Sequence, residues 1–426
     1  MAFRSLSCLL SASLLTAVFL YPAAAPAAET HFPNNPTRFL VCDKGSGSFH
    51  GKLPDKFPHP WVTVSVGAGK KNEFAARTCD ADINWSEGNV SVASGAAQAD
   101  IDVMGADIGL GSLVVAFQIK SSDTDPHIRY EIYSLTGPPQ LLRTITNEDY
   151  FSAADTRLNG SVEIWTTDAA AVDGFENLPR AAFDVPPTMV LRFEDKKLID
   201  VSSEFRPWFD QQIAALRSGL DAHQLDAFKN SDGALSAMTP PPNSRPTGLL
   251  AAKVKVLEIV WAYLASGREQ EAWSALAQMW PASDVERIRT AILKARAAGL
   301  RTQVDGVSDK RPPTQKEHAF VYWHLIPLDS HDLPAELRAR TADTVPSRLV
   351  WMVAPPQNPE NWSQGRHVEL VIDEAGKVRS VKIKEKEKDA SDHDWVDAAA
   401  AWKYIPAYKD GKPVAFGMTS HLRRNQ

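Results

Sequence analysis

The apolar residues of this chain change their spacing once, close to residue 204. Before that point, short runs alternate apolar with polar residues, as Val62, Val64 and Val66 do around Thr63 and Ser65. After it, apolar residues recur three and four positions apart. The first pattern is typical of strands that bury one face, and the second is typical of amphipathic helices. The sequence therefore predicts a β-rich segment that is followed by a helical one.

The predicted β-rich domain covers residues 29–203. Gly, Asn, Asp and Pro separate its short β runs at intervals that suit a sandwich or a curved meander. No helical period of any length interrupts these runs, so we expect a sandwich-like domain. The clearest runs are residues 101–103, 113–119, 128–133, 162–166 and 189–193.

The predicted helical domain covers residues 204–301. Pro207 stands where the first turn of a helix tolerates proline. Ser283 and Glu286 form a capping box that opens the last helix of this domain. The residues predicted to face inward are Phe209, Ile213, Leu216, Leu220, Leu250, Val254, Leu257, Trp261, Leu264, Ala272, Leu276, Met279, Val285, Ile288, Ile292 and Ala295.

Part of the helical domain weakly resembles a single tetratricopeptide unit. The residues that carry this resemblance are Tyr263, Gly267, Ala272, Leu276 and Pro281. Only one such unit is legible, whereas a repeat array needs about three units to be stable. We therefore expect a helical spacer domain that packs on its neighbours.

Two proline-containing stretches predict loops or linkers. Residues 231–248 contain four prolines and indicate a loop or linker within the helical segment. Residues 302–345 contain Pro312-Pro313 and predict a linker with short helices, which leads into a C-terminal domain at residues 346–426.

The first 28 residues have the form of a secretory signal peptide. Arg4 precedes an apolar stretch at residues 9–20, and an A-x-A cleavage site follows at Ala25 and Ala27. A transmembrane helix needs about 20 apolar residues, so this stretch is too short to span a membrane. We therefore expect cleavage near residue 28 and a periplasmic or secreted protein without a membrane span. A leader that is retained as an anchor is the alternative.

Two cysteines remain once the leader, which contains Cys8, is removed. Cys42 and Cys79 form an even pair, and an oxidising compartment predicts that such a pair is a disulfide. The bond would close a loop of about 37 residues and stabilise the fold by roughly 3–4 kcal/mol in the chain-entropy model. Two free buried thiols are the alternative.

The C-terminal segment predicts a hairpin, a helix and a final strand. Residues 365–378 alternate apolar and polar residues across an acidic turn, which is typical of a half-buried hairpin. Ser391 and Asp394 form a second capping box that opens the helix. The final strand is predicted over residues 414–422, and its inward residues are Val414, Phe416, Met418 and Leu422.

The predicted C-terminal helix packs on this sheet. Trp395, Ala399 and Trp402 are spaced four and three positions apart, so they share one helical face. Pro406 ends the helix, and the turn at residues 410–413 leads into the final strand.

This order of elements resembles the C-terminal domain of TonB-type energy transducers. The resemblance depends on the W-K-x-x-P-A step at residues 402–407 and on the D-G-K-P turn at residues 410–413. It implies a ββαβ domain, a place in the bacterial cell envelope and recognition of another protein. Domains of this kind bind a short strand of a partner by adding it to an exposed sheet edge. The implied binding edge is the last strand, whose outward residues are Ala415, Gly417, Thr419 and His421.

Energy transduction in that family needs features that this sequence lacks. Its members keep an N-terminal anchor with a functional histidine, whereas the first histidine here is His31, and no long Pro-rich spacer follows. We therefore predict an exported, multidomain α+β protein that binds an envelope protein or peptide without catalysis. A TonB-type energy transducer in transmembrane transport is the alternative if the leader is an uncleaved anchor.

A secreted hydrolase or carbohydrate-binding protein, acting through residues 29–203, is a second alternative. Flat tryptophan rings can stack on sugars, although Trp261, Trp395 and Trp402 fall on predicted core faces. Glycosidase carboxylates need no fixed spacing, but the sequence contains no phosphate-loop, zinc-protease or serine-hydrolase motif. A net charge of −6 without a basic stripe argues against nucleic acid as a partner.

Residues 155–163 are similar to the D-x-N-x-D-G-x-x-E loops that bind calcium in β-repeat domains. Asp155, Asn159 and Glu163 would supply oxygen ligands, and Gly160 would permit the turn. Arg157 occupies a ligand position, where its charge would repel the cation. We therefore expect a degenerate loop in which Arg157 bridges Asp155 or Glu163. Calcium binding is the alternative, and no other cofactor is predicted.

Overall fold

The structure is a computed structural model of mixed α+β architecture. It describes residues 41–43, 45, 47–53, 62–71, 77–235, 246–306, 344, 346–351, 366–384 and 392–422. Within these residues the chain forms twenty strands, arranged in six antiparallel sheets, and six α-helices. No helix in these ranges is both long and apolar enough to cross a membrane. The predicted leader at residues 1–28 lies outside the described residues. So do residues 307–343, which make up most of the linker predicted at residues 302–345.

Two sheets form the first part of the β-rich segment, as the alternating runs predict. One sheet has the order β2-β3-β4-β5, and the other has the order β1-β6-β7-β8-β9. The strands are β1 (Cys42–Asp43), β2 (Phe49–Lys52), β3 (Thr63–Lys71), β4 (Arg77–Trp85), β5 (Gly88–Ala96), β6 (Gln98–Ala106), β7 (Val114–Lys120), β8 (Ile128–Ser134) and β9 (Leu141–Asn147).

The five-stranded sheet is covered on both faces. On one face, residues such as Ile101 and Phe117 share a core with Val64 and Ile83 of the four-stranded sheet. On the other face, Val103, Ala116 and Ile132 pack against a third sheet. This burial explains why β7 is apolar almost throughout, since a strand that is buried on both faces has no solvent side to keep polar.

The third sheet has the order β10-β11-β12-β13 and connects the β-rich segment to the helices. One of its faces packs on the five-stranded sheet, and its other face contributes Trp165 and Val190 to the helical core. Its strands are β10 (Ser152–Ala154), β11 (Glu163–Thr167), β12 (Thr188–Glu194) and β13 (Lys197–Asp200).

The two cysteines lie where the sequence predicts a disulfide. The sulfur atoms of Cys42 and Cys79 are 2.15 Å apart, and their Cα atoms are 5.8 Å apart. These distances are compatible with a disulfide bond. The pair joins β1 of the five-stranded sheet to β4 of the four-stranded sheet, and both side chains are buried.

Five helices form the middle of the chain, and all but three of the sixteen residues predicted to face inward are buried. The exceptions, Leu220, Val285 and Ala295, are partly buried and pack against the same core. The longest helix, α3, contacts the first, second and fourth helices. The helices are α1 (Arg206–Ser218), α2 (Ala222–Lys229), α3 (Gly248–Ala265), α4 (Glu269–Met279) and α5 (Val285–Ala298).

Two local predictions in the helical segment are wrong. Helix α2 was not expected, although Asp221 caps it by accepting a hydrogen bond from the Gln224 amide at 2.8 Å. The capping box at Ser283 and Glu286 is not formed, because Asp284 occupies the N-cap position of α5 without a side-chain cap bond. The Asp284 carboxylate instead accepts hydrogen bonds from the Trp280 indole and the Arg287 guanidinium.

The C-terminal segment contains the predicted hairpin, helix and final strand, together with two further strand pairs. Its main sheet has the order β16-β15-β20, and β14 pairs with β17 while β18 pairs with β19. The elements are β14 (Arg348–Trp351), β15 (Arg366–Ile372), β16 (Val378–Ile383), α6 (Asp392–Ala400), β17 (Lys403–Ile405), β18 (Ala407–Lys409), β19 (Lys412–Val414) and β20 (Phe416–Leu422).

The bounds of these C-terminal elements differ from the predicted ones. Helix α6 ends at Ala400, well before Pro406, and Trp402 packs on the sheet from the residues that follow the helix. Trp395 is only half-buried, whereas Ala399 lies in the core. The final strand begins at Phe416, because Val414 already ends β19. Ser391, the predicted cap, lies outside the described residues.

Glu258 provides a test of the helical core. It is 2% exposed, and its Oε1 accepts a hydrogen bond from the Val185 amide at 2.7 Å. Among the described residues, its Oε2 has no hydrogen-bond partner. Burial raises the pKa of this carboxyl from 4.5 to about 7. The folded state therefore holds a proton that the unfolded state releases, so stability is highest below pH 4.5 and falls as the pH rises to about 7.

We expect Glu258→Gln to remove this pH dependence, because the amide has nearly the same shape and does not ionise. At pH 8 the variant should be more stable than the wild type by up to about 3 kcal/mol, and near pH 4.5 the two should differ little. Urea unfolding at several pH values measures this difference. The control is Glu286→Gln, since the Glu286 side chain is 85% exposed. Parallel pH profiles for the wild type and Glu258→Gln would contradict the prediction.

Candidate functional site at the edge of the C-terminal sheet

Strand β20 lies at the edge of the C-terminal sheet. It pairs with β15 along all seven of its residues, from Phe416 opposite Ile372 to Leu422 opposite Arg366. Within the described ranges, no other strand pairs with it. One side of the last strand is therefore not paired with any other strand of the described ranges.

The direction of the backbone groups on this strand follows from the hairpin that precedes it. The Lys384 amide donates a hydrogen bond to the His367 carbonyl at 2.9 Å, so His367 points its backbone groups towards β16. In an antiparallel sheet these groups alternate along the strand, so Val368 and Leu370 point theirs towards β20. Their partners in β20, Ser420 and Met418, point back. The backbone groups that point to the open side are therefore those of Gly417, Thr419 and His421.

Three of the four residues predicted for the binding edge, Gly417, Thr419 and His421, lie within β20. Gly417 is buried and Thr419 is half-buried, while the His421 side chain lies outside the described atoms. The fourth residue, Ala415, lies between β19 and β20 and belongs to neither strand. The Thr419 hydroxyl is buried and has no hydrogen-bond partner among the described residues.

The opposite edge of the sheet is partly occupied by the chain itself. Lys377, just before β16, forms an isolated bridge with Lys403, and the Tyr404 amide donates to the Gly376 carbonyl at 2.8 Å. Helix α6 also contacts β16. These contacts all reach the β16 side of the sheet, whereas β20 pairs with β15 alone among the described strands.

A compact core holds β20 in position. Phe416 and Met418 face inward together with Val368, Leu370 and Ile372 of the central strand. Ala399 at the end of α6 and Trp402 pack on the same cluster. An edge strand that is fixed in this way loses little conformational freedom when another strand is added to it.

Buried ion pairs connect this sheet to the β-rich segment. The Lys403 ammonium lies 2.6 and 2.8 Å from the two oxygens of Asp100 and donates to the Ile101 carbonyl at 2.8 Å. Lys377 pairs with Asp102, whose second oxygen accepts hydrogen bonds from the Tyr130 hydroxyl at 2.7 Å and from the Ala153 amide at 2.8 Å.

The pair between Lys403 and Asp100 is almost completely removed from solvent, with side-chain exposures of 6% and 1%. Burial alone raises the pKa of Asp100 and lowers that of Lys403, and the attraction between the two charges opposes both shifts. Each charge therefore depends on the other to remain ionised inside the protein.

Apolar contacts reinforce the same junction. Ile405 and Tyr408 belong to the core between the four-stranded and five-stranded sheets of the β-rich segment. Ala375 belongs to the core between the five-stranded sheet and the sheet of β10 to β13. The Tyr408 hydroxyl also donates to the Gly105 carbonyl. The segment predicted as a C-terminal domain therefore contributes residues to the cores of the β-rich segment, which the sequence did not indicate.

The loop that is similar to a calcium site is held together by its own groups. The Asp155 carboxylate accepts the amides of Arg157, Asn159 and Gly160 at 2.7–3.2 Å. Glu163 accepts the Thr156 hydroxyl at 2.9 Å and the Arg157 guanidinium at 3.0 Å. The predicted bridge between Arg157 and Glu163 is therefore present.

Two observations bear on ligand binding by the β-rich segment. Trp165 packs edge-on against Phe205 and Trp208 and is buried, so it offers no ring to a sugar. In the part of the chain that the structure describes, no group of three or more His, Cys, Asp or Glu residues could hold a metal ion.

In comparisons with known proteins, the chain matches no family model, no curated protein and no solved structure. The resemblance to TonB-type domains therefore depends on the residues and the order of elements described above, and it stays a hypothesis.

We expect Lys403→Met to destabilise the fold by about 3–5 kcal/mol, because it leaves the Asp100 charge buried without a partner. The double variant Lys403→Met with Asp100→Asn should recover much of this loss, since neither charge remains. The control is Lys384→Met, whose half-exposed pair with Glu369 contributes at most about 1 kcal/mol. Chemical unfolding measures the free energy of unfolding of all three variants. A loss for Lys403→Met as small as that of the control would contradict the role of this pair.

We expect the protein to bind calcium no more tightly than millimolar, because Arg157 occupies the loop and backbone amides occupy Asp155. Isothermal titration calorimetry with calcium chloride measures this affinity. Arg157→Asn, which restores a neutral oxygen ligand, is the matched variant. A dissociation constant in the micromolar range for the wild type would show that the loop rearranges to bind the ion.

Proposed function

We propose that this is an exported, non-catalytic protein of the bacterial cell envelope, which binds an extended segment of a partner protein as a fourth strand beside β20. The observation that carries the proposal is the seven-residue edge strand, whose outward backbone groups belong to Gly417, Thr419 and His421. Backbone groups at a sheet edge are the template on which β-strand addition depends, and no other described strand pairs with those of β20.

The side chains near the open side permit close approach of another backbone. Gly417 has no side chain beyond hydrogen, and Thr419 is small. The three outward residues offer three N–H donors and three C=O acceptors, and each hydrogen bond contributes roughly 0.5–1.5 kcal/mol net. Such an edge alone gives modest affinity. Side chains of the partner, packed on the two faces of the sheet, would supply the remaining binding free energy.

Three further features support the proposed location of this protein in the cell envelope. The first 28 residues have the form of a secretory leader. Cys42 and Cys79 lie at a distance compatible with a disulfide, which is stable in an oxidising compartment. The order of the C-terminal elements resembles a domain that recognises envelope proteins. Lys403 stands within the W-K-x-x-P-A step that carries this resemblance.

Proline at position 419 tests the proposal. Thr419→Pro removes an outward N–H without removing a hydrogen bond to β15, and proline is tolerated at such edge positions. Thr419→Val keeps the N–H and the side-chain shape, so it is the matched control. Peptides that bind the wild-type protein are first selected from a displayed library of random twelve-residue sequences. Their affinity for both variants is then measured.

We expect the selected peptides to bind Thr419→Val as tightly as the wild type and Thr419→Pro at least tenfold more weakly. In nuclear magnetic resonance spectra, the amide signals of Gly417, Thr419 and His421 should shift on binding. Circular dichroism checks that Thr419→Pro is folded. If the selected peptides bind a folded Thr419→Pro protein with unchanged affinity, or if no peptide is selected, β20 is not the binding edge.

A further inference from the structure

A loop, a turn and a strand of the β-rich segment enclose a cavity of about 340 Å³. The loop contributes residues 157 and 159–162, the turn contributes residues 108–109, and β12 contributes residues 192–194. We call this space the loop cavity. Cavities that bind small molecules in proteins start at about 300 Å³, so the loop cavity is large enough for one small ligand.

Two glycines in the lining leave room for a ligand. Gly109 and Gly160 both have a positive φ, of +93° and +86°. A Cβ atom at position 109 would lie 2.1 Å from the Phe193 carbonyl oxygen, whereas one at position 160 would meet no atom within 4 Å. A side chain at position 160 would therefore take up open space beside the lining of the loop cavity.

Two arginines that are fixed by carboxylates form the polar wall of the cavity. Arg192 donates to the two oxygens of Glu204 at 2.9 and 2.7 Å and to Glu194 at 2.9 Å. Arg157 donates to Glu163 and to Glu204, each at 3.0 Å. Both of these Arg157 bonds leave from Nη2, so its Nε and Nη1 groups can donate to a ligand without breaking them.

The lining offers both donors and acceptors to a ligand. The Asn159 side chain accepts the Ser161 amide through Oδ1, and its Nδ2 donates to no group of the described residues. The Glu194 carboxylate accepts Arg192 through Oε1, and its Oε2 accepts from none of the described groups. A sugar hydroxyl donates and accepts at the same time, so a polyhydroxylated ligand can use this mixed set.

The charges around the cavity favour a neutral ligand. Two guanidiniums, of Arg157 and Arg192, face three carboxylates, of Glu163, Glu194 and Glu204. A phosphate or sulfate group would compete with the carboxylates that already hold both guanidiniums. A metal cation would be repelled by the guanidiniums. A ligand without charge avoids both costs.

Leu158 adds an exposed apolar surface to the same loop. It lies between two lining residues, Arg157 and Asn159, and it is 42% exposed. Its φ is +53°, in the left-handed region that a bulky residue rarely adopts. Strain of this kind is concentrated at functional sites, and here it presents an isobutyl group to solvent instead of burying it.

We propose that the loop cavity binds one sugar unit, either as a free sugar or as part of a glycan. Hydroxyls of the sugar accept hydrogen bonds from Nε and Nη1 of Arg157 and from Nδ2 of Asn159. Another hydroxyl donates to Oε2 of Glu194. Leu158 supplies the apolar surface that the C–H face of a sugar ring needs.

This site is independent of the strand-addition edge. All the residues that form it lie between positions 108 and 204, and none of them belongs to the C-terminal sheet. The failure of either proposal would therefore leave the other untouched.

Nuclear magnetic resonance of the wild-type chain with a panel of sugars tests the proposal. The panel contains glucose, galactose, mannose, rhamnose and N-acetylglucosamine, each as the free sugar and as an oligosaccharide. Saturation transfer detects binding, and comparison of the two forms shows whether the source is a free sugar or a glycan. The amide signals of Gly109, Gly160 and Ser161 should shift with at least one sugar, and inorganic phosphate should not shift them.

Two variants are expected to weaken this binding. Gly160→Asn places a side chain in the open space, and asparagine tolerates a positive φ, so we expect affinity to fall at least about tenfold. Leu158→Gly removes both the apolar surface and the strain, so it should bind more weakly while unfolding at the same or a higher denaturant concentration. Leu293→Ala changes another exposed leucine, on α5, and is the control with unchanged affinity.

Three results would overturn the proposal. The first is that no sugar of the panel shifts the three amides of the wild type at about 10 mM, which does not depend on the folding of a variant. The second is that phosphate shifts them and no sugar does, because the cavity would then be an anion site. The third is unchanged sugar affinity in Gly160→Asn, once circular dichroism shows that this variant is folded, because binding would then lie elsewhere.

Discussion

Two aspartates on one strand hold the C-terminal segment in place. Asp100 and Asp102 lie on β6, in a sheet that is covered on both faces, and neither is accessible to water. Their counter-ions, Lys403 and Lys377, come from the far end of the chain. Without these lysines, two negative charges would remain in the most deeply buried sheet of the molecule. The docking of the C-terminal sheet is therefore a condition for the stability of the β-rich segment, as well as an addition to it.

This arrangement sets the direction of the backbone groups at the candidate site. The open side of β20 is formed by backbone groups, and their direction is set by β15 through the hairpin with β16. That hairpin is in turn held by Lys377, Asp373 and Arg379 against the β-rich segment. The sheet is thus supported on one side by its own apolar core and on the other by polar contacts. A partner strand would meet an edge that is already in the extended conformation it needs.

Much of the local structure could be predicted from the sequence, because it depends on the spacing of apolar residues. The stripe on α3 and the hairpin at residues 365–378 both have a clear period, and both are present. The spacing of apolar residues does not predict the ends of helices and strands equally well. Helix α6 stops six residues before Pro406, because Trp402 leaves the helix to fill the sheet core. Helix α2 has only eight residues, which is too short to show a clear apolar period, so its cap at Asp221 is the sequence feature that could have indicated it.

The contacts between segments could not be predicted in the same way. Lys403 and Asp100 are 303 positions apart in the sequence. The continuous burial of β6 could have indicated that Asp100 needs a partner. No residue near Asp100 in the sequence identifies Lys403 as that partner. The same holds for Asp373 and Asp155, which are 218 positions apart. By contrast, the role of Arg157 was predictable, because its partner Glu163 lies only six residues away.

The distance between these partners along the chain also matters during synthesis. A ribosome completes β6 about three hundred residues before it reaches Lys403. Until then, Asp100 and Asp102 have no bases to neutralise them, so the early sheets have a reason to stay loosely packed. Segments that can fold alone tend to do so as they emerge, in order from the amino end. Here residues made about three hundred positions later supply the charges that β6 requires, so we expect the early sheets to complete their packing only after Lys403 has been made.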